Sequence, residues 1–252
     1  MGIFSRRKRD DLDQAEPVAV PVGAAVRGDP GAPASPRDSG DQGAVTHAAY
    51  ERPDGPFDRS EVSDPGNRLD LGSLWVAGAP GMEMRLEVDN QTQQVVGVTT
   101  VIGESALQLQ AFAAPRSDGV WGEIRQEIAA GITSQGGTAQ EADGPLGVEL
   151  HAQLPGRAPD GRTYFTPARF VGVDGPRWFL RGVLSGRAAV EEDAAAALLQ
   201  VYRGTVVVRG DEAMAPRDLL PLRLPEDAVQ AAPDPADQLN PFERGPEITE
   251  VR

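Results

Sequence analysis

The chain has 252 residues, 40% hydrophobic and 25% charged, with a formal charge of −14, which is enough polypeptide to bury a core as one or two domains. It has no cysteine and only His47 and His151 as histidines, which excludes disulfides, thiolate-ligated zinc, iron–sulfur clusters, a cysteine nucleophile and a multi-histidine metal centre. The central part, residues 69–225, holds 13 basic against 19 acidic residues with no basic stripe, which disfavours nucleic acid as a partner, since gripping a phosphate backbone needs clustered Lys and Arg.

Residues 1–68 contain eight Pro, eight Gly and only three aromatics, in runs such as RGDPGAPASPRDSGDQG. A segment of this kind buries too little apolar surface to offset the entropy of ordering it, and a disordered N-terminal arm is expected. Within it, Ile3 and Phe4 precede four basic residues, so residues 1–9 suit contact with an anionic membrane surface. Asp10, Asp11 and Asp13 follow at once and offset that attraction. The start lacks the apolar core of a secretion signal, and no apolar run approaches the roughly 20 residues needed to cross a bilayer. The expected location is the cytoplasm.

From Leu69 to Pro225 the apolar residues fall into periods, and this is the expected folded unit. Met82, Met84, Leu86 and Val88 alternate with charged residues, Asn90 to Gln93 supplies a turn, VVGVTTVIG is β-branched, and Leu107, Leu109 and Ala111 alternate with glutamines. These predict three antiparallel strands. Trp121, Ile124, Ile128 and Ile132 then recur every three or four residues, predicting a helix that starts near Ser117 or Asp118 and stops at Gly136-Gly137. Val148 to Leu154 alternates again as a strand. RTYFTPARFVGVDGPRWFLRGVLSG reads as a hairpin turning at Asp174-Gly175. EEDAAAALLQVY places acids at the positive end of a second helix, and TVVVRG ends the unit as a strand. The predicted class is α+β, a mostly antiparallel sheet with two packed helices. Residues 226–252 carry two Arg against seven acids and read as a disordered acidic tail.

The stretches FAAPRSDGVWGEIRQEI, GPRWFLRGVLSGRAA and APRDLLPLRLPE resemble an actinobacterial family of unknown function, DUF3710, over roughly residues 69–225. That resemblance implies no activity, cofactor or site residue. The order of elements is similar to the Mog1/PsbP-like fold, whose members mostly bind other proteins or act as assembly factors, an analogy at the level of fold alone.

Catalytic chemistry finds few side chains. A nucleophilic triad needs a histidine base; His151 lies on the polar side of its strand beside Glu149 and Gln153, and Ser105 and Ser185 read as strand ends. Glu191, Glu192 and Asp193 are explained by helix-start chemistry. Glu123 and Glu127 lie one turn apart, off the apolar stripe, and the aspartates of GDEAMAPRDLL form a loop cluster. No catalytic, cofactor-binding or metal residue is assigned. The most distinctive group is Arg177, Phe179 and Arg181 on one side of a strand, with Arg169 on the preceding arm. This is a candidate interaction face for an acidic partner or anion, unless the arginines pair with carboxylates of a neighbouring strand. The expected function is a non-enzymatic protein-interaction or assembly module. The alternatives are an anion or small-molecule sensor using Arg169, Arg177 and Arg181, and a carboxylate- or magnesium-dependent enzyme.

Overall fold

Alternating apolar residues organise the chain around one large sheet. The computed structural model describes residues 52–224 except 90, 91, 93, 117 and 118. Residues 1–51, most of the expected arm, and the expected tail at 226–252 lie outside the described residues. The described elements, in chain order, are β1 (Phe57–Asp58), β2 (Leu69–Asp70), β3 (Leu74–Val76), β4 (Met82–Val88), β5 (Val95–Ile102), β6 (Ser105–Ala113), α1 (Trp121–Ser134), β7 (Thr138–Gly144), β8 (Gly147–Arg157), β9 (Thr163–Gly175), β10 (Trp178–Gly186), α2 (Glu192–Gly204) and β11 (Val206–Val207). The class is α+β, with two helices and two mostly antiparallel sheets.

The large sheet has the order β4-β5-β6-β10-β9-β8-β7, antiparallel throughout, and the small one the order β1-β11-β3-β2. Register assigns the faces. Phe170 pairs with Leu150 and Val183, and Val183 with Gln108, so these side chains share one face with Phe179, Arg181 and Gly172. On this first face α1 lies across β7, β8 and β9. Trp121 stacks on Phe179 at 5.6 Å and Phe179 on Phe112 at 6.0 Å. The second face, with Leu107, Leu109, Leu180, Leu184 and Val171, is buried with α2 and the small sheet in the main core, whose members include Leu74, Val76, Leu198 and Tyr202. The Tyr202 hydroxyl donates to the Leu180 carbonyl at 2.7 Å, which satisfies the one polar atom of a ring otherwise surrounded by apolar groups.

Residues 52–68, expected within the disordered arm, hold defined structure. Phe57–Asp58 pairs in parallel with β11, the Trp178 indole N–H donates to Asp58 Oδ2 at 2.7 Å, and the Arg52 guanidinium sits 4.9 Å from the Trp178 ring. Residues 52–61 thus strap the start of β10, and an aromatic with a polar handle is what holds them.

The hairpin turn also moves. β9 continues through Asp174 and Gly175, Gly175 pairs with Trp178, and the turn is Pro176-Arg177, with Arg177 at φ 66°. Proline fixes the first turn position. Gly175 is glycine because a Cβ there would lie 2.1 Å from the Trp178 ring. Asp174 is thereby released to do something else: its carboxylate accepts from the backbone N–H groups of Val120 at 2.8 Å and Trp121 at 3.2 Å. These are orphan donors at the start of α1, which has no cap of its own. Burial raises the Asp174 pKa, against the pull of those two bonds.

The three stretches singled out in the sequence meet at this helix start. The Ala114 N–H donates to the Arg177 carbonyl, the Arg217 N–H to the Ala113 carbonyl, and the Leu220 N–H to the Ala111 carbonyl. Arg217, at φ 72°, reaches Glu123 and Glu127 of α1, both at 2.8 Å.

Gly172 lies beneath the aromatic stack, where a Cβ would come within 2.4 Å of the Trp121 ring and 2.7 Å of Phe179. Gly172→Ala is expected to destabilise the protein by about 1–3 kcal/mol through overpacking. Urea unfolding checks this; a variant as stable as the parent would mean that the stack is looser than described.

Candidate functional site

Two helices and a small sheet cannot cover both faces of seven strands. Over β7, β8 and the start of β9 the second face lies beyond α2, and a shallow groove of about 580 Å³ runs there. Gln140, His151, Gln153 and Pro167 line it along the sheet, while Val190 and Glu192 come from the segment leading into α2. Phe165, next after Pro167 on the same face and opposite Pro155, is 52% exposed, and Val190 is 65% exposed.

One end of the groove is electrostatically closed. Arg169, 2% exposed, donates from Nε to Glu149, itself 1% exposed, and from Nη1 to Glu192 at 2.8 Å. Burial pushes the Arg169 pKa down, but the hydrogen bonds and charges of Glu149 and then Glu192 outweigh it, and the net shift is upward. The His151 imidazole Nε2 lies 3.7 Å from the same Glu149 oxygen. The other oxygen, Glu149 Oε1, is buried without a hydrogen-bond partner. Gly144 makes room for this carboxylate, since a Cβ there would come within 2.1 Å of it.

The four residues expected to share an interaction face do not. Arg169 is on the second face in the ion pair just described. Arg177 is in the turn, where the neighbouring Arg209 feels its charge. Phe179 is fully buried between Phe112 and Trp121. Arg181 alone reaches the part of the first face left bare by α1. There its guanidinium bonds Gln110 and lies 5.4 Å from the Phe112 ring. Burial lowers its pKa and the charge of Glu87 opposes that shift. Glu87 in turn accepts from Thr99 at 2.5 Å and Gln108 at 2.6 Å, so the part of this face beyond α1 carries a half-buried polar ladder. Register separates the expected residues: the two-residue turn takes Arg177 out of the strand, and Arg169 stands on the opposite face from Phe179 and Arg181.

Five of the carboxylates singled out in the sequence are likewise engaged. Glu123 and Glu127 share Arg217, Glu191 pairs with Arg187, Glu192 with Arg169, and Asp218 accepts from the Ala215 N–H. Among the described residues no three His, Asp or Glu side chains gather as a metal site, and no helix is long and apolar enough to cross a membrane. The alternative weighed for the arginines, pairing with a carboxylate of a neighbouring strand, holds for Arg169, but the sequence did not single out Glu149 as the partner. The available signal was two opposite charges on the same face of consecutive strands, two residues apart in register.

Arg169→Met leaves Glu149 buried without its cation and is expected to cost about 3–5 kcal/mol, whereas Glu149→Leu with Arg169→Met together recovers most of that loss. Denaturant unfolding of the single and double variants checks this. Equal losses in the two would show that the pair is not the reason.

No curated protein matches the chain. Residues 55–231 match the model of a protein family described as a protein of unknown function (DUF3710). That span takes in every element from β1 to β11 and the segment after them that bonds β6, so the groove and the bare ladder both lie inside it, and the chain belongs to this family.

Proposed function

We infer that the domain is a non-enzymatic, cytoplasmic protein-interaction module, and that the groove beside α2 is where an extended segment of a partner docks. The observation that carries this reading is the pair Phe165 and Val190, two large apolar side chains more than half exposed on the same face as the groove. The groove floor offers the amides of Gln140 and Gln153 and the imidazole of His151, groups that suit the backbone of a bound polypeptide. Apolar anchors rimmed by polar groups are the usual anatomy of such a surface.

The competing readings have less support. An anion sensor needs convergent unpaired arginines, and the three expected ones do not converge: Arg169 is held by Glu149 and Glu192, Arg177 lies in the turn, and Arg181 is on the opposite face of the sheet. An acid–base or magnesium enzyme needs convergent free carboxylates, and the paired ones here are tied to arginines of the same chain.

Affinity capture with the full chain, run beside a Phe165→Glu, Val190→Glu variant, tests the reading. The parent is expected to retain a protein that the variant loses by at least about tenfold, with the same unfolding midpoint in both because the two positions are exposed. Identical captures from parent and variant would overturn it.

A further inference from the structure

Among the described residues the large sheet is paired on one side only at β4 and at β7, and such edges are ready to accept another strand unless something guards them. β7 brings Glu141 and Asp143 to its edge and no basic residue, so it cannot complement the charge of a second copy of itself. β4 is different. Met82, Met84 and Leu86 lie on the covered face, half buried, while Glu83 and Arg85 lie on the bare face with side chains 72% and 68% exposed. Their mutual contact runs along the strand at 3.4 Å.

We propose that β4 is the contact with a second copy of this chain, two β4 strands pairing antiparallel about a two-fold axis through Met84 and joining two sheets into one. A two-fold axis between antiparallel strands stands perpendicular to the sheet and keeps each face continuous, so few registers exist, and charge separates them. Centred on Met84, Glu83 stands opposite the second copy's Arg85 twice over, Met82 opposite Leu86, and Met84 opposite itself. Centred on Arg85, the pairs are arginine on arginine and Glu83 on Glu87. Centred on Glu83, two glutamates meet. Centred on Leu86, Glu83 faces Asp89, Arg85 faces a Glu87 already bonded to Thr99 and Gln108, and pairing must cross the irregularity between Glu87 and Val88. Like charges directly opposite one another destabilise a strand pair and opposite charges stabilise it, so only the Met84 register is favourable throughout. This contact lies at the far edge of the sheet from the groove and stands independently of the docking proposed there.

Sedimentation of the full chain over a concentration series provides the test. The parent is expected to approach twice 26.7 kDa as concentration rises. Glu83→Arg alone and Arg85→Glu alone each set like charges opposite one another and should weaken the dimer about tenfold or more. The decisive sample is their equimolar mixture. At these two positions the first variant carries only arginine and the second only glutamate, so in a mixed pair every arginine faces a glutamate. The mixture therefore dimerises at concentrations where neither variant does alone, which also shows that both are folded. A parent that stays monomeric to near-millimolar concentration overturns the proposal, including the case where residues outside 52–224 occupy the edge. Dimers indifferent to either reversal, or a mixture that stays monomeric, also overturn it.

Discussion

The seven-stranded sheet has more surface than the described residues cover, and the rest of their arrangement follows from how the shortage is distributed. The two helices are placed on opposite faces and towards opposite ends: α1 over β7, β8 and β9 on one face, α2 with the small sheet over the central strands and β4 and β5 on the other. Each face is therefore dry along part of its width and bare along the rest. The bare part of the first face solves the problem with a hydrogen-bonded ladder of Glu87, Thr99, Gln108, Gln110 and Arg181. The bare part of the second becomes the groove. Arg169 and Glu149 stand where cover gives way to solvent, and burying that pair is tolerable because Glu192, at the start of α2, supplies a further bond from the exposed side.

The helix start of α1 is the other organising point. Helix donors that lack a local cap must be satisfied from elsewhere, and here Asp174 crosses over from β9 to do it. Gly119 is required beside it, since a Cβ at that position would lie 2.7 Å from the Asp174 carboxylate. Around this bond the chain returns three times, each time through a Pro-Arg pair: Pro115-Arg116, Pro176-Arg177 and Pro216-Arg217. Two of those arginines take left-handed backbone conformations, which cost about 1–3 kcal/mol each for a residue with a Cβ. Arg217 offsets its share by bonding two carboxylates of α1. The stretches that stood out in the sequence are thus the pieces of one junction.

What was legible in the sequence was whatever produced long periods. The alternation of Met82 to Val88 and of Leu107 to Ala111, and the three-and-four spacing of Trp121 to Ile132, gave strands and helix where they are. β1, β2, β3 and β11 are two or three residues long, too short for a period, and all but the last went unread. β7 was missed for a different reason: as an edge strand with Ala139 and Ala142 as its apolar residues, it has little to bury and so no hydrophobic signature. The turn was misplaced because Asp-Gly is a strong hairpin signal, while here Gly175 clears space for Trp178 and Asp174 caps a helix. Side-chain partners were the least legible. Arg169, Phe179 and Arg181 are close in number, but parity of register separates the first from the other two, and a two-residue turn at either place gives that same parity.

The central claim is that cover is divided between the two faces, leaving Phe165 and the groove in solvent while the aromatic stack on the opposite face is sealed by α1. Hydroxyl-radical footprinting of the full chain, read residue by residue, tests it most directly. Rapid oxidation of Phe165 and Tyr164, with Phe170, Trp178 and Phe179 protected, is the pattern required. Protection of Phe165 together with oxidation of Phe179 would contradict the account.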